Sequence, residues 1–409
     1  MKYLTKFVFS VYNQLSGGKI EKNYLVIKAH HEFEKEIDVK DVEAYLQSHN
    51  IKGTLAEQPL MTKKDISGKI EKVNASAIHS YAYTGGSYGE PFKIPYSKNR
   101  ALIKTASFKY FNEAAGYKIG DAFMLIAAKQ KPKWWQFLRN EHRLVPTNLT
   151  AAKVAEAVKH LVDQRLTVVI GFPSVIFELA SYIKQNQIPH FIKSVIFTSE
   201  PIEVVKKQYI KDALKCEVID RYSNEEVGLI AQQKTFGSAY YTNRYNVVVE
   251  LLDDQLQPVK EGEVGKVVVT DLAADLVPIV RYDTGDLAVA HEYRNGQLYA
   301  ISSISGRIAE QLFATNGAPV AGLALGPLIH MPFSTSGYFP QYQFAQIAKT
   351  MYQLRIRKTD SEIPAAVLEQ ITKNLKNVLG DNANIEHLFV DDIKPQPSGK
   401  RPIYKNEMQ

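Results

Sequence analysis

The middle of the chain alternates between two apolar patterns. Leu166 to Gly171 is a nearly continuous apolar, β-branched run, and Ser194 to Thr198 is another. Such runs are what strands buried on both faces require. Cys216 to Asp220 is a third strand-like stretch. Between these runs the apolar positions recur at helical spacing. Val154, Ala157, Val158, Leu161 and Val162 form one stripe behind Thr150, whose hydroxyl can cap the first turn. Pro173 and Ser174 open a second helix, and a third spans about Ile202 to Leu214. Upstream, Leu102, Ile103, Ala106, Tyr110 and Ala114 share one helical face ahead of the strand-like run Ala122 to Ala128. This alternation predicts an α/β fold, a parallel sheet with helices on both faces.

After about Tyr240 the pattern shifts to short strands separated by turns: Asn246 to Leu252, Lys266 to Thr270 and Leu298 to Ser302. A third pattern begins past Arg307. It has a strand (Met351 to Ile356), a helix with apolar positions Val367, Ile371, Leu375, Val378 and Leu379 closed by Gly380, and a strand (Ile385 to Val390). The expected organisation is a large N-terminal domain over residues 1–306, with a β-rich subdomain at about 240–306. A small α+β C-terminal domain over 307–409 follows. Residues 1–77 are lysine-rich and the least informative.

Composition narrows the classes. The 409 residues are 45% hydrophobic and 23% charged, an ordinary globular balance. The net charge of +7 is spread along the chain; it suits anionic small molecules and does not argue for nucleic acid. A lone cysteine, Cys216, excludes an internal disulfide, and none of the ten histidines has an i, i+4 partner. No stretch is long and apolar enough to span a bilayer, and the expected location is the cytoplasm. Met1 to Tyr12 is too short for a signal-peptide core and reads as an amphipathic helix, lying on the body or at a membrane surface. The basic run Lys129 to Arg143, with Trp134 and Trp135, reads first as a solvated face with its aromatics tucked inward, and otherwise as a contact for phosphates, a membrane or a partner.

Tyr83 to Pro91 reads Tyr-Thr-Gly-Gly-Ser-Tyr-Gly-Glu-Pro. Its glycines allow successive N–H groups to converge on an anion, with Thr84 and Ser87 adding hydroxyls, and they equally allow a plain hairpin turn. A Walker loop is excluded because Glu90 and Pro91 follow Gly89. Gly85 to Gly89 matches the G-x-S-x-G elbow of hydrolases, but that elbow opens a helix, and the two prolines at 91 and 95 mark extended chain instead. Four more stretches add chemistry: Thr198-Ser199-Glu200-Pro201; Asp220-Arg221-Tyr222-Ser223-Asn224-Glu225-Glu226; Arg281-Tyr282-Asp283-Thr284-Gly285-Asp286; and Ser305-Gly306-Arg307 with the tail Pro397-Ser398-Gly399-Lys400. Together they offer a phosphate nest, a planar ring, carboxylates for a metal and for sugar hydroxyls, and a tail lysine.

In this order the motifs resemble those of the adenylate-forming superfamily of acyl-CoA synthetases, peptide-synthetase adenylation domains and luciferases. They are most similar to its branch of phenylacetate–CoA ligases and capsular-polysaccharide-biosynthesis ligases. The resemblance runs from about Leu60 to Lys400 and includes Pro59 to Asp65, Ala115-Gly116-Tyr117 and Gly171-Phe172-Pro173-Ser174. It implies that Thr84, Gly85, Gly86, Ser87, Tyr88 and Gly89 wrap the ATP β- and γ-phosphates. Ser199, Glu200, Pro201 and Tyr222 would flank the adenine, with Arg221 and Ser223 beside them. Glu226 would hold Mg²⁺, Asp286 the ribose hydroxyls, and Arg307 the ribose or phosphate, while Lys400 would reach the α-phosphate. The implied reaction is carboxylate activation by ATP, with coenzyme A or an amine as acceptor. The implied partners are small molecules, and a homodimer stays open. A non-catalytic nucleotide binder is the alternative. Three positions depart from the family pattern: Tyr88 for a threonine, Ser223-Asn224-Glu225 for Gly-Ser-Thr, and Ala309 for a hinge aspartate or lysine.

Overall fold

Val168–Gly171 is buried along its whole length and hydrogen-bonded in parallel to Phe123–Ile126 on one side and Ser194–Phe197 on the other. Its apolar character is the local cause, since each side chain meets a covered face. Gly171 is required where the strand ends: a Cβ there would lie 2.4 Å from the carbonyl oxygen of Ile126. The fold is known from a computed structural model that describes residues 1–83, 93–127, 129–146, 149–307, 312–320, 322–358, 362–394 and 401–408. Thr84, Gly85, Gly86, Ser87, Tyr88, Gly89, Ala309 and Lys400 lie outside the described residues, and only the backbone of Ser305 to Arg307 is described.

The expected α/β architecture is present. The helices Ala151–Asp163, Pro173–Gln185 and Val204–Leu214 share a core with the parallel strands through Val158, Leu161, Val175, Leu179 and Ile210. Thr150 caps the first of these, accepting from Lys153 N. Ala115 and Tyr117 pack beside Phe123, Ile170, Ile196 and Ile219 in a separate cluster. The third helix starts at Val204 rather than Ile202, with Glu203 at its N-cap; Pro201 restricts the residues around it to an extended entry.

The β-rich stretch is not a separate sheet. Glu217–Asn224 pairs in parallel with Ser194–Phe197 through its first half and antiparallel with Gly228–Gln233 through its second. One eleven-stranded sheet results, with the long strands Ile279–Arg294 and Gln297–Arg307 in its antiparallel part. Residues 1–77 fold as four helices, Lys2–Leu15, Lys19–Glu32, Val39–Ser48 and Lys63–Ile70, and a short 3₁₀ turn, Ala75–Ala77. The last helix carries a complete capping box between Thr62 and Asp65.

A four-stranded sheet in the C-terminal part takes the order Asn384–Val390, Met351–Arg357, Tyr342–Ala348, Tyr404–Asn406. Ala365–Leu379 packs on it as expected, with Gly380 at its C-cap. The helix Gly322–Thr335 was not legible, because Pro327 and Pro332 sit inside it. Leu325, Ile329 and Phe333, four residues apart, bury one face against Ala365–Leu379, and that burial outweighs the lost backbone bonds.

A buried ion pair ties the helix Lys98–Ala114 to the strand Val264–Asp271 of the large sheet. Arg100, in the first turn of Lys98–Ala114, donates from Nε and Nη2 to Asp271 Oδ2 at 3.1 and 2.7 Å. Nη2 also donates to the Glu226 carbonyl at 2.7 Å, and the guanidinium lies 4.2 Å from the Tyr96 ring centre. Asp271 Oδ1 accepts from Asn246 Nδ2 and Ala273 N. Arg100→Met should therefore leave a buried carboxylate without its cation and lower unfolding free energy by about 3–5 kcal/mol. Chemical denaturation checks this, and a loss under about 1 kcal/mol would remove the pair from its structural role.

Candidate active site

Asp220, Tyr222 and Glu226 are positioned by the overhang of one strand. Ser194–Phe197 ends opposite Asp220, so the ladder on that edge of Glu217–Asn224 stops there. Residues 221–224 project beyond the carboxyl ends of the parallel strands, the place where open sheets bind ligands. A β-bulge falls between Tyr222 and Ser223, and bulges re-aim side chains. Asn224 Oδ1 then accepts from Val227 N at 2.8 Å, closing a turn that carries the exposed Glu225 and the buried Glu226.

Successive side chains point to opposite faces. Asp220 takes Lys207 Nζ at 2.9 Å and Tyr240 Oη at 2.6 Å. Arg221 faces the other way, donating to Gln232 Oε1 at 2.7 Å and Asn112 Oδ1 at 2.8 Å. Burial lowers its pKa to about 9, so it stays cationic at neutral pH. The structure thus spends Arg221 on packing under Lys98–Ala114 and does not bring it to the Tyr222 side. Tyr222 Oη donates to Asp286 Oδ2 at 2.6 Å and to Thr284 Oγ1 at 3.3 Å. Burial, then the charge of Asp286, raise the Tyr222 pKa well above the usual phenol range, so it remains a donor. Thr284 Oγ1 donates to the Val267 carbonyl and accepts from Asp286 N, which fixes the turn that presents Asp286.

Glu226 Oε1 lies 3.3 Å from Tyr282 Oη. Its backbone carbonyl is held by Arg100, and that of Glu225 by Tyr96 Oη at 3.1 Å. Tyr96 ends Lys93–Tyr96, which pairs antiparallel with Ser80–Tyr83. This strand pair and the Glu226 turn are therefore one hydrogen-bonded unit. Among the described residues no group of three His, Cys, Asp or Glu forms a metal cage. A lone carboxylate suits Mg²⁺ shared with phosphate oxygens and water, so Glu226 fits that ion on those terms.

Ser199 adopts φ +75°, an uncommon left-handed conformation for a side-chain-bearing residue, and its hydroxyl meets Thr198 Oγ1 at 2.8 Å. Glu200 is buried and accepts from Ser174 Oγ at 2.7 Å and Arg401 N at 2.8 Å. Burial raises its pKa. Its carboxylate is thus engaged by the residue that follows Lys400 in sequence. Nearby, Tyr342 Oη donates to Glu203, which is paired with Lys206 at 2.8 Å. Burial opposes the Glu203 charge, but Lys206 and Tyr342 outweigh it and its pKa is lowered. Arg357 meets Glu178 at 3.1 Å. Sequence reasoning missed Glu203, Tyr342 and Arg100 as supports of the site, and no local pattern marks the bonds from Tyr342 to Glu203 and from Arg100 to Asp271, which join residues distant in sequence; Tyr282 lay in a named motif without a role assigned to it.

No family model matches this chain. It is 22% identical to Protein CapK of Staphylococcus aureus over 97% of this chain and 89% of that protein. Among solved structures it is similar to 2-hydroxyisobutyryl-CoA ligase in the postadenylation state with 2-HIB-AMP, at a TM-score of 0.66, 18% identity, and coverage of 94% and 88% of the two chains. The same ligase in its thioesterification state gives 0.54. The amide bond synthetase McbA of Marinactinospora thermotolerans gives a TM-score of 0.56 at 17% identity, covering 81% of this chain and 68% of that one. The fold of this chain is that of the adenylate-forming ligases.

Proposed function

We propose that this chain is an ATP- and Mg²⁺-dependent ligase that activates a carboxylic acid as its acyl-adenylate and transfers the acyl group to coenzyme A or an amine. The observation that carries this reading is the Tyr222–Asp286 pair at the strand overhang. It sets an aromatic ring beside a carboxylate, the combination that a purine base and ribose hydroxyls require. The fold supports it, because the hydroxyisobutyryl-CoA ligase was solved with an acyl-adenylate.

In the first step a substrate carboxylate oxygen bonds to the α-phosphorus as the bond to pyrophosphate breaks. No covalent protein nucleophile is needed; positioning and charge stabilisation suffice. Tyr222 would stack on adenine, and Asp286 would accept from the ribose hydroxyls. The run Thr84–Gly89 would surround the terminal phosphates and Arg307 would add a donor. Glu226 would hold Mg²⁺, whose charge offsets that of the phosphates. Lys400 would bridge the carboxylate and the α-phosphate, and the Glu200–Arg401 contact supports a role for that tail at this strand end.

In the second step a thiol or amine attacks the acyl carbon and AMP leaves. Both acceptor types occur among structural neighbours, one named a CoA ligase and another an amide bond synthetase. The resemblance to capsular-polysaccharide ligases favours an amino sugar or amino acid when the acceptor is an amine. We assign residues 307–409 to a C-terminal domain that turns about the region after Gly306-Arg307, in the cytoplasm, where ATP is available. The higher TM-score against the postadenylation state supports an arrangement suited to the first step.

The defining experiment is pyrophosphate release with ATP and a panel of aryl, alkyl and uronic acids. Nucleotide binding with no release for any acid would favour a non-catalytic binder instead. Lys400→Ala should lower release by about 10²–10³, the scale of one transition-state donor, while ATP binding survives. An unchanged rate would remove Lys400 from the reaction. Asp286→Ala should raise the KM for ATP roughly ten- to a hundredfold, as expected for hydrogen bonds to a charged group, with a smaller change in kcat. Equal KM values would assign the ribose elsewhere.

A further inference from the structure

The helix Lys2–Leu15 has two apolar faces, and only one is used. Thr5 is buried, and Phe9 packs toward the cluster of Ile20, Ile27 and Leu102. On the outer side Tyr3 and Phe7, one turn apart, are 87% and 66% exposed. A surface helix ordinarily keeps its outward stripe polar, so packing on the body does not account for these rings. Beside it lies the short helix Lys133–Arg139, whose aromatics do not tuck inward as the sequence suggested: Trp134 is 62% and Phe137 56% exposed, and Trp135 meets Trp134 edge-on at 5.7 Å.

One turn holds both helices. Gly120 approaches the first so closely that a Cβ would lie 2.7 Å from the Lys2 carbonyl oxygen, and Lys2 Nζ pairs with Asp121 at 2.7 Å. Asn140, at the C-cap of the second helix, donates to the Gly120 carbonyl at 3.0 Å. Two segments far apart in sequence are thereby fixed as one aromatic surface.

Apart from Asp121, which neutralises Lys2, the two helical segments carry charge of one sign. Residues 1–20 contain Lys2, Lys6 and Lys19 and no Asp or Glu; residues 129–139 contain Lys129, Lys131, Lys133 and Arg139 and again no acid. The adjoining Glu141 is buried and paired with Arg143 and Arg139. Exposed tryptophans and phenylalanines among lysines are what an interfacial helix presents to a bilayer, with rings at the acyl boundary and ammonium groups at anionic headgroups.

We propose that this face, formed by Lys2–Leu15 and Lys133–Arg139, docks the protein on an anionic lipid surface. The protein lies on the bilayer without crossing it; among the described residues no helix is long and apolar enough to cross a membrane.

Trp134 and Trp135 are the only tryptophans of the chain, so tryptophan emission, excited beyond tyrosine absorption, reports on this face alone. The full chain is titrated with vesicles of phosphatidylcholine, alone or mixed equally with phosphatidylglycerol. Emission should shift to the blue and protein should sediment with the mixed vesicles, not with phosphatidylcholine alone. Binding should weaken as salt shortens the screening length below about 10 Å. Phe7→Ser should reduce partitioning about tenfold or more, the scale of one large buried apolar side chain, and Lys131→Glu with Lys133→Glu should reduce it further. Pyrophosphate release and thermal unfolding serve as folding controls and should stay unchanged. Unaltered emission and no sedimentation with anionic vesicles would overturn the proposal. So would a blue shift that appears without lipid as protein concentration rises, with a doubled mass in ultracentrifugation, because the face would then join two copies.

Discussion

The strand Glu217–Asn224 is longer than the neighbour on one of its edges, and much of the molecule is arranged around that excess. Its first half completes a parallel sheet; its second half, beyond the last bond to Ser194–Phe197, is held only from the antiparallel side. The backbone there is pinned along one edge and open along the other. This is how a rigid element can lend consecutive side chains to a crevice without loosening the sheet. Asp220 and Arg221 anchor the exit with buried polar bonds, and Tyr222, at the bulge, is the first residue turned to Asp286.

The contacts that Glu178, in the helix Pro173–Gln185, and the segment after Ser194–Phe197 make with the C-terminal part have another character. Tyr342–Glu203, Arg357–Glu178 and Arg401–Glu200 are polar pairs, joined by the rings of Phe339, Tyr209 and Phe177. Polar contacts of this kind can be exchanged for water at modest cost, unlike the continuous apolar core beneath the helices Ala151–Asp163 and Pro173–Gln185. Burial makes Glu200 harder to ionise, while Lys206 keeps Glu203 charged. Two carboxylates three residues apart thus meet the C-terminal part of the chain in different electrostatic conditions.

What was legible in the sequence was what depends on neighbours along the chain. The strands Val168–Gly171 and Ser194–Phe197 and the helix Ala151–Asp163 announce themselves through runs and stripes whose burial is decided locally. The helix Gly322–Thr335 was hidden because its two prolines speak against it locally, and only packing on another helix overrides them. The same division holds in the site. Tyr222 and Asp286 lie in readable motifs, and the structure brings them together. Arg221 lies in the same motif and points away, because adjacent strand residues face opposite sides, and the motif does not say which side meets the crevice. The bond from Arg401 to Glu200 joins residues 201 positions apart, and no periodicity in the chain encodes it.

The clamp of Arg100 on Asp271 and on the Glu226 carbonyl has a bearing on how variation in this chain is to be understood. Arg100 is buried out of reach of any dissolved substrate. A screen that scores only loss of activity would nevertheless place it among the essential residues, beside groups that touch the reactants. Its record over evolutionary time should instead carry the mark of a structural partner, changing only in concert with position 271. Sorting essential positions by whether they change alone or in pairs would separate the scaffold of this crevice from its chemistry.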